Sequence, residues 1–381
     1  MINKIQMFPT TKTELISNLI NFSNTKLSDY ASKRNFDFGP PHENVSKLSP
    51  YLRTRFISEE EVIKIVISRN NINTIEKFIE EIFWRTYWRG WLESHPWIYN
   101  EYINRKKNQI PPKRTGIKCF DTWREELLDT GYLHNHSRMW FASIWIFTLG
   151  YNWQSGANFF EKNLLDFCPA SNTLGWRWVA GLQTTNKPYL AKSNNIQYFT
   201  NGRFYPKGQL NENVSLSFPN PNQNKTLTFK EPKKVLFDNN NKLGIILNKN
   251  DLSLNQIFDK KKMEYDCCLY LVEHKNKLIN IFQKKIFNDI LEKNKRFCFT
   301  KNFNDIFQWL ILKKIKNLVL PYETVGNKIF NDNQFISKLN ELNINYMFFM
   351  RDWDRLAFPH ATKGFFKFKK NIPDLINLAD I

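Results

Sequence analysis

The 381-residue sequence has little of what marks several protein classes. Its five cysteines form no C-x-x-C pair and have no paired histidine spacing beside them, which gives no metal site and favours reduced, mostly buried thiols. The most apolar stretch, residues 139–151, is far shorter than the roughly 20 residues that span a bilayer. Residues 1–17 contain no apolar segment of the kind that a secretory signal needs. We therefore expect a cytoplasmic protein without a membrane span.

Acidic residues are also scarce relative to basic ones. The chain carries 55 Lys+Arg against 36 Asp+Glu, a formal net charge of +19. Such a surplus attracts a polyanion, with counterion release as the driving term, so nucleic acid is the natural partner. A generally Lys-rich composition would account for the charge equally well, so charge alone does not locate a binding face.

The character of the sequence changes part-way along the chain. Tryptophan and helical apolar spacing dominate up to about residue 206, whereas short β-type runs alternate with amphipathic stretches beyond about residue 225. This change predicts an all-α domain at 1–210, a linker at 211–233 and an α/β domain at 234–381. The linker is centred on NPNQNK (220–225), which has no hydrophobic period.

Apolar periodicity predicts the elements of both parts. The helices expected in the first part lie near 11–22, 58–70, 74–95, 120–130, 135–149 and 155–166. In the second part, strands are expected near 243–247, 267–272, 296–300, 317–320 and 346–350, with helices near 276–292, 303–315 and 328–342. Alternating strands and helices imply a small Rossmann-like domain with a parallel sheet. No G-x-G-x-x-G or Walker loop follows these strands.

One stripe of the third predicted helix carries chemistry. Glu81, Trp84, Arg85 and Trp88 are spaced i, i+3, i+4 and i+7 and therefore share a helical face. For an isolated segment, a buried Trp stripe with a satisfied ion pair is the more common outcome. The functional alternative is a pocket in which Trp stacks on an aromatic ligand and Glu bonds its edge. No hydrolytic constellation of Ser/His/Asp or Cys/His type stands out.

Two later segments contain candidate polar groups. GYLHNHSRM places Asn135 and Arg138 on one helical face, and in DFCPASNTLGWRW, Asp166 and Asn172 flank a predicted Pro-containing turn. Three further motifs accompany these two segments: SKLSPYL (46–52), EIFWR (81–85) and KPY (187–189). In their order along the chain, the five motifs resemble those of the flavin-binding domain of the cryptochrome/photolyase family. The resemblance covers roughly residues 25–205 and extends neither to the α/β part nor to the family's usual N-terminal antenna domain.

The resemblance implies that FAD binds in the helical domain. The residues that it implies for this site are Tyr30, Ser46, Leu48, Ser49, Asn135, Arg138, Asp166, Cys168 and Asn172. Arg138 would pair with Asp166 beside the isoalloxazine, and Asn172 would lie at flavin N5. Cys168 stands where the family's D-x-D pattern has its second Asp, which puts one hydrogen bond to the flavin in doubt.

The resemblance also implies a pocket for a flipped pyrimidine dimer. Glu81 matches the carboxylate that bonds the dimer, Trp84 and Trp178 match its aromatic walls, and Met139 matches a neighbouring contact. A lesion extruded from the stack needs both aromatic walls and an edge partner. The basic DNA contacts are expected among Arg53, Arg55, Arg85, Arg89, Arg105, Lys106, Lys107, Lys113 and Arg114.

Tryptophans of the family's photoreduction chain are matched in part. Trp176 and Trp153, 23 residues apart, correspond to its inner two members, with simple core packing as the alternative. The outermost Trp has no counterpart, and the aligned stretch offers only Tyr99 and Tyr102 beside Trp97.

These matches imply light-driven, FAD-dependent repair of cyclobutane pyrimidine dimers, with UV-damaged DNA as partner. Whether single strands are preferred, and the oligomeric state, stay open. A cryptochrome-like blue-light photoreceptor that signals through a partner on the α/β domain is the main alternative. Repair of the (6-4) photoproduct and a flavoprotein that has lost activity are the others.

Overall fold

The computed structural model describes residues 7–184, 186–215, 226–238 and 240–378. The centre of the expected linker, 220–225, lies outside this range. The helices before the first strand are α1 (Lys12–Thr25), α2 (Tyr30–Lys33), α3 (Ser49–Thr54), α4 (Glu59–Ile67), α5 (Ile72–Ser94), α6 (Pro96–Asn104), α7 (Lys118–Thr130), α8 (Asn135–Ser143), α9 (Trp153–Asn163), α10 (Pro169–Val179) and α11 (Ser193–Phe199). A π-helical turn, Ile144–Thr148, extends α8. We call this part the helical unit.

Local sequence explains where several of these helices begin and end. The Ser58 hydroxyl accepts from the Glu61 amide at the start of α4, and the Asn71 side chain accepts from the Asn73 amide at the start of α5, as N-cap residues do. Gly131 ends α7 at φ 71°, in the left-handed region. A Cβ there would also lie 2.7 Å from Leu165 Cγ. Glycine is therefore required both by the backbone conformation and by the lack of space for a side chain.

Helix α10 corrects one expectation. The sequence predicts a Pro-containing turn flanked by Asp166 and Asn172, but Pro169 is the first residue of α10 and Asn172 lies within the helix. Proline suits the first helical position because its missing N–H would have no intrahelical partner there. Asn172 consequently points from a rigid helix rather than from a loop.

The second part of the chain forms a five-stranded parallel sheet, as the sequence predicts. Its strands are β1 (Leu243–Leu247), β2 (Asp266–Tyr270), β3 (Cys298–Thr300), β4 (Asn317–Pro321) and β5 (Asn345–Phe349), in the order β3-β2-β1-β4-β5. Its helices are α12 (Asn255–Lys260), α13 (Lys277–Lys293), α14 (Phe303–Leu312), α15 (Asn333–Glu341), α16 (Asp352–Ala357), α17 (Phe365–Lys369) and α18 (Ile372–Leu378). We call this part the α/β unit.

The two faces of the sheet bury different neighbours. Ile246 and Leu318 point into a core shared with α14 and α15, to which Trp309 and Phe335 contribute. The opposite face, which includes Ile245, belongs to a second core that continues without a break into the helical unit. The two units are therefore held together by common apolar packing, the main source of stability for such contacts.

The end of the α/β unit packs along helix α5. Phe83 stacks on Trp353 with ring centroids 4.5 Å apart. A Cβ on Gly90 would lie 2.9 Å from atoms of both Phe358 and Ala361, so the absence of a side chain at Gly90 permits this close approach. Helix α5, which bears the candidate substrate residues, is thus covered by α16 and α17 on one side.

Candidate active site

Glu81 projects from α5 toward a cation of α2's C-terminal end. Arg34 donates from Nη1 to Glu81 Oε1 at 2.7 Å. Burial raises the pKa of Glu81, although Arg34 acts in the opposite direction. Tyr30, at the start of α2, packs against the same apolar core as Trp84. The Glu81 carboxyl is therefore held in place by Arg34, and its burial makes it easier to protonate than an exposed glutamate.

Trp84, one turn further along α5, packs against the α/β unit. Its indole lies on the Phe365 ring of α17 with centroids 3.7 Å apart and planes 12° apart. Trp88 lies 5.4 Å away at an angle and Tyr87 meets the indole edge-on. One face of Trp84 is covered by this chain's own Phe365, so a ligand can stack only on the other face.

Arg138 and Asp166 form the pair that the sequence predicts for the flavin ring. Arg138 donates from Nη1 to Asp166 Oδ1 at 3.0 Å and from Nη2 to Oδ2 at 2.8 Å. The Arg138 guanidinium also lies 5.3 Å from the centre of the Tyr132 ring. Tyr132 is buried in the core against which Tyr30 and Trp84 also pack.

Cys168 is a buried thiol among arginines. Burial alone would raise its pKa, but Arg85 and Arg53 outweigh burial and lower the pKa to about 7. The Arg85 Nε is buried without a hydrogen-bond partner among the described residues. The two arginines therefore favour the thiolate form of Cys168, at the position where the resemblance expects an aspartate.

The predicted diphosphate segment borders open space. A cavity of about 280 Å³ is lined by Ser46, Lys47 and Leu48, and it shares Lys26 with a neighbouring cavity of about 400 Å³ that Lys33 also lines. Ser49 is the first residue of α3, at the edge of this segment. Hydroxyl and ammonium groups beside a cavity are suitable partners for a diphosphate.

These residues fit a flavin dinucleotide in the chemistry of their donors. Cationic and hydroxyl groups line the 280 Å³ cavity, whereas Arg138 and Asp166, which bind each other, are not among the residues that line either cavity. Asn172 donates from Nδ2 to Ala157 O at 2.9 Å, which leaves Oδ1 for a ligand. Tyr30 is not among the residues that line the two cavities, and its expected contact with the cofactor stays a prediction.

Comparison with known proteins covers the helical unit. Residues 78–209 match the family model described as the FAD binding domain of DNA photolyase. A deoxyribodipyrimidine photo-lyase of Buchnera aphidicola is 30% identical over 201 residues, which cover 48% of this chain and 41% of the relative. One from Alkalihalophilus pseudofirmus is 28% identical over 200 residues, covering 48% and 40%. The chain spans less than half the length of these curated relatives.

The helical unit is related to the cryptochrome/photolyase family. Among solved structures, a class III photolyase from Agrobacterium tumefaciens is 26% identical with a TM-score of 0.42, covering 50% of this chain and 43% of its own. A Synechocystis cryptochrome is 24% identical with a TM-score of 0.43, covering 52% and 45%. The match of residues 78–209 to the family model and the photo-lyase relatives confirm the resemblance seen in the sequence motifs.

The tryptophans that match the family's photoreduction chain lie in one core of this photolyase-type unit. The edge of Trp176 rests so closely on Gly156 that a Cβ there would overlap the indole. Gly156 lies on α9 three residues after Trp153. Trp153 in turn stacks on Tyr102, with centroids 5.7 Å apart and planes 27° apart.

The structure gives less support to the roles expected for Trp178, Met139 and Asn135. Trp178 stacks on Tyr189 with centroids 5.4 Å apart, in a different core cluster from Trp84. Met139 is half-buried and Asn135 is exposed at the start of α8. The structure therefore does not show Trp84 and Trp178 as two walls in contact with one pocket.

The expectation that Arg53, Arg55 and Arg89 contact DNA was wrong. Arg53 donates to Lys249 O and to Asn327 Oδ1 of the α/β unit. Arg55 and Arg89 both bind the Asp354 carboxylate, at 2.8 and 3.0 Å. All three arginines are buried because the α/β unit covers them, so their side chains do not reach DNA.

Of the other cations expected to contact DNA, some are buried or paired and others are exposed. Arg85 is mostly buried beside Cys168, and its Nη2 donates to Arg53 O at 3.3 Å. Lys106 is paired with Glu161 at 2.7 Å. The exposed members of the predicted set are Arg105, Lys107, Lys113 and Arg114.

Sequence reasoning missed two residues of the site. Arg34 was overlooked because a single arginine in a polar stretch has no motif of its own, although it lies four residues after Tyr30 and so shares its helical face. Phe365 was overlooked because its partner, Trp84, is remote in sequence. Within the described ranges, no cluster of three His, Cys, Asp or Glu side chains could hold a metal ion, and no described helix is long and apolar enough to cross a membrane.

Proposed function

We propose that this protein repairs cyclobutane pyrimidine dimers in DNA, using light-driven electron transfer from reduced FAD. Two observations carry the proposal: the Arg138–Asp166 pair, whose guanidinium lies over Tyr132, and the core in which Tyr132 is buried and against which Tyr30 and Trp84 pack. One apolar core thus borders candidate residues for both the lesion and the flavin. The family of the helical unit and the photolyase names of its relatives support the same activity.

In this proposal, different residues bind the ring system and the diphosphate of the cofactor. Arg138 and Asp166 would hold the ring system, while Ser46, Lys47 and Lys26 would bind the diphosphate. Bound reduced FAD would supply an electron to the lesion after excitation by blue light. The Cys168 thiolate beside Arg85 would keep the local charge balanced.

Glu81 and its neighbours would act on the lesion. Because burial raises the pKa of Glu81, its protonated carboxyl can donate a hydrogen bond to a pyrimidine carbonyl oxygen. That bond strengthens as negative charge develops on the lesion, which is how preorganised donors stabilise reaction intermediates. Trp84, fixed on one face by Phe365, would stack on the extruded bases with its free face.

Two substitutions on α5 test these roles. Glu81→Ala and Trp84→Ala should each lower dimer splitting or dimer affinity while FAD stays bound. Glu80→Ala and Trp91→Ala are matched controls on the same helix, because Glu80 pairs with Lys77 and Lys369 and Trp91 stacks on His95. Unchanged repair by both Glu81→Ala and Trp84→Ala would remove the assignment.

A further inference from the structure

Tyr102 contacts both a tryptophan and a carboxylate. Its ring lies nearly parallel to the Trp153 indole at 5.7 Å between centroids, and its hydroxyl donates to Glu161 Oε2 at 2.8 Å. Tyr102 is completely buried. An aromatic side chain that touches a tryptophan and has a carboxylate at its hydroxyl can give up an electron and a proton at the same time.

The surroundings connect this pair in both directions. Toward the interior, Trp153 begins α9, against which the Trp176 indole packs at Gly156. Toward the surface, Glu161 lies two turns further along α9, and its side chain is 26% exposed. Trp176 thus packs on the helix that begins with Trp153, Trp153 stacks on Tyr102, and the Glu161 carboxylate leads from Tyr102 to solvent.

We propose that Tyr102 is the outer electron donor of the photoreduction chain and that Glu161 accepts its phenolic proton. The inference rests on the proposed function, because it requires a bound flavin as electron acceptor. With oxidised flavin bound and excited by light, Trp176 would supply it with one electron and would be reduced again by Trp153. Tyr102 then gives one electron to the oxidised Trp153, its O–H bond breaks, and the proton moves to Glu161 Oε2. Tyr102 is left as a neutral radical, which an external thiol reduces.

The preplaced carboxylate is what makes this step feasible in a buried setting. Burial, with Glu161 nearby, raises the pKa of Tyr102 above its ordinary value, so a phenolate does not form beforehand. The proton must therefore leave as the electron leaves, and a charged intermediate in the apolar core is avoided. In this arrangement, Tyr102 takes the place of the outermost tryptophan, which has no counterpart in this sequence.

Lys106 modulates the proposed acceptor. Its ammonium contacts the same Glu161 Oε2 at 2.7 Å and lies 5.7 Å from the centre of the Tyr102 ring. A cation at this distance makes the carboxylate a weaker base and opposes loss of an electron from the ring. Removal of the Lys106 charge should therefore speed radical formation, an effect that a purely structural role for Tyr102 would not produce.

The test is electron paramagnetic resonance of the FAD-loaded protein during blue illumination, with and without ring-deuterated tyrosine. The wild type should give a radical signal that narrows on tyrosine deuteration. Tyr102→Phe keeps the stacked ring but has no phenolic proton to lose, so the tyrosine signal should disappear and flavin photoreduction should slow. Glu161→Gln should slow the appearance of the signal, and Lys106→Met should accelerate it.

Tyr189→Phe is the matched control, because Tyr189 stacks on Trp178 at the same 27° angle but lies outside the proposed route. Its signal should equal that of the wild type. A tyrosine signal that survives in Tyr102→Phe, or a wild-type radical confined to tryptophan, overturns the inference while leaving the repair proposal intact. Failure of the proposed function looks different, since every variant would then lack bound flavin or dimer splitting.

Discussion

The Trp84 indole and the Phe365 ring lie face to face, 3.7 Å apart, although one belongs to the helical unit and the other to the α/β unit. Phe365 is buried at 4% exposure. The stack covers one face of the indole and restricts its orientation. The α/β unit therefore contributes a direct contact to one of the candidate lesion residues.

Removing the Phe365 ring should weaken dimer binding as well as stability. Phe365→Ala leaves Trp84 free to rotate, so affinity for a dimer-containing oligonucleotide should fall. Loss of a buried phenylalanine costs about 3–5 kcal/mol of unfolding free energy in general. Phe335→Ala controls for the stability loss, because Phe335 is equally buried on the other face of the sheet. Equal dimer affinity for both variants, measured by fluorescence anisotropy, would contradict the role of the stack.

The pH dependence of repair should respond to Arg34. Arg34 opposes the burial that raises the pKa of Glu81, so Arg34→Met should raise that pKa further. A protonated Glu81 then persists to higher pH, and the alkaline limb of the repair rate should move upward in pH. The rate per bound lesion is compared across pH under saturating DNA, which separates this effect from affinity. A limb that stays in place or moves downward argues against a protonated Glu81.

Asp354 should be a major contributor to the docking of the two units. Its carboxylate, which is fully buried, accepts hydrogen bonds from Arg55 and Arg89. Asp354→Asn leaves two buried arginines without this counter-charge, and breaking a buried pair typically costs about 3–5 kcal/mol. Urea unfolding measures the loss. Asp352→Asn is the control, because Asp352 is exposed and bonds Arg355 at the surface; an equally small effect for both would show that the network contributes little.

Cys168 should titrate near neutrality. Its pKa is lowered from 9.0 to about 7, since Arg85 and Arg53 outweigh burial. The folded state therefore loses this proton more easily than the unfolded chain, and the wild type should gain stability over Cys168→Ser as pH rises from about 7 to about 9. Thiolate absorbance in the ultraviolet should show the same midpoint. Cys119→Ser is the control, because burial raises the pKa of Cys119 to about 12.

The sequence predicts much of the architecture, for identifiable reasons. The strands are found within a few residues of their expected positions because each is a short buried apolar run. The helix at Pro169–Val179 was missed because proline and asparagine suggest a turn, whereas proline at the first helical position is equally compatible with a helix. A local sequence pattern therefore identifies a helix or a turn only when the two favour different residue types.

The candidate site is less accessible to sequence reasoning because its surroundings depend on tertiary contacts. Arg55 looks like a surface cation in sequence, yet it is buried against Asp354, 299 residues later in the chain. Nothing within a few residues of Arg55 indicates this partner. The Arg138–Asp166 pair, by contrast, was expected from motifs and is present in the structure. Motifs identify residues that act together, whereas distant packing decides which of the remaining residues reach solvent.

The most direct measurement of the central claim is dimer splitting in light and darkness. The FAD-loaded, photoreduced protein is mixed with an oligothymidylate that carries cyclobutane dimers, and the recovery of thymine absorbance is followed under blue light and in the dark, with single-stranded and duplex substrates compared. The account predicts recovery in blue light alone. No recovery in light, with FAD bound and photoreducible, would contradict repair and favour a photoreceptor.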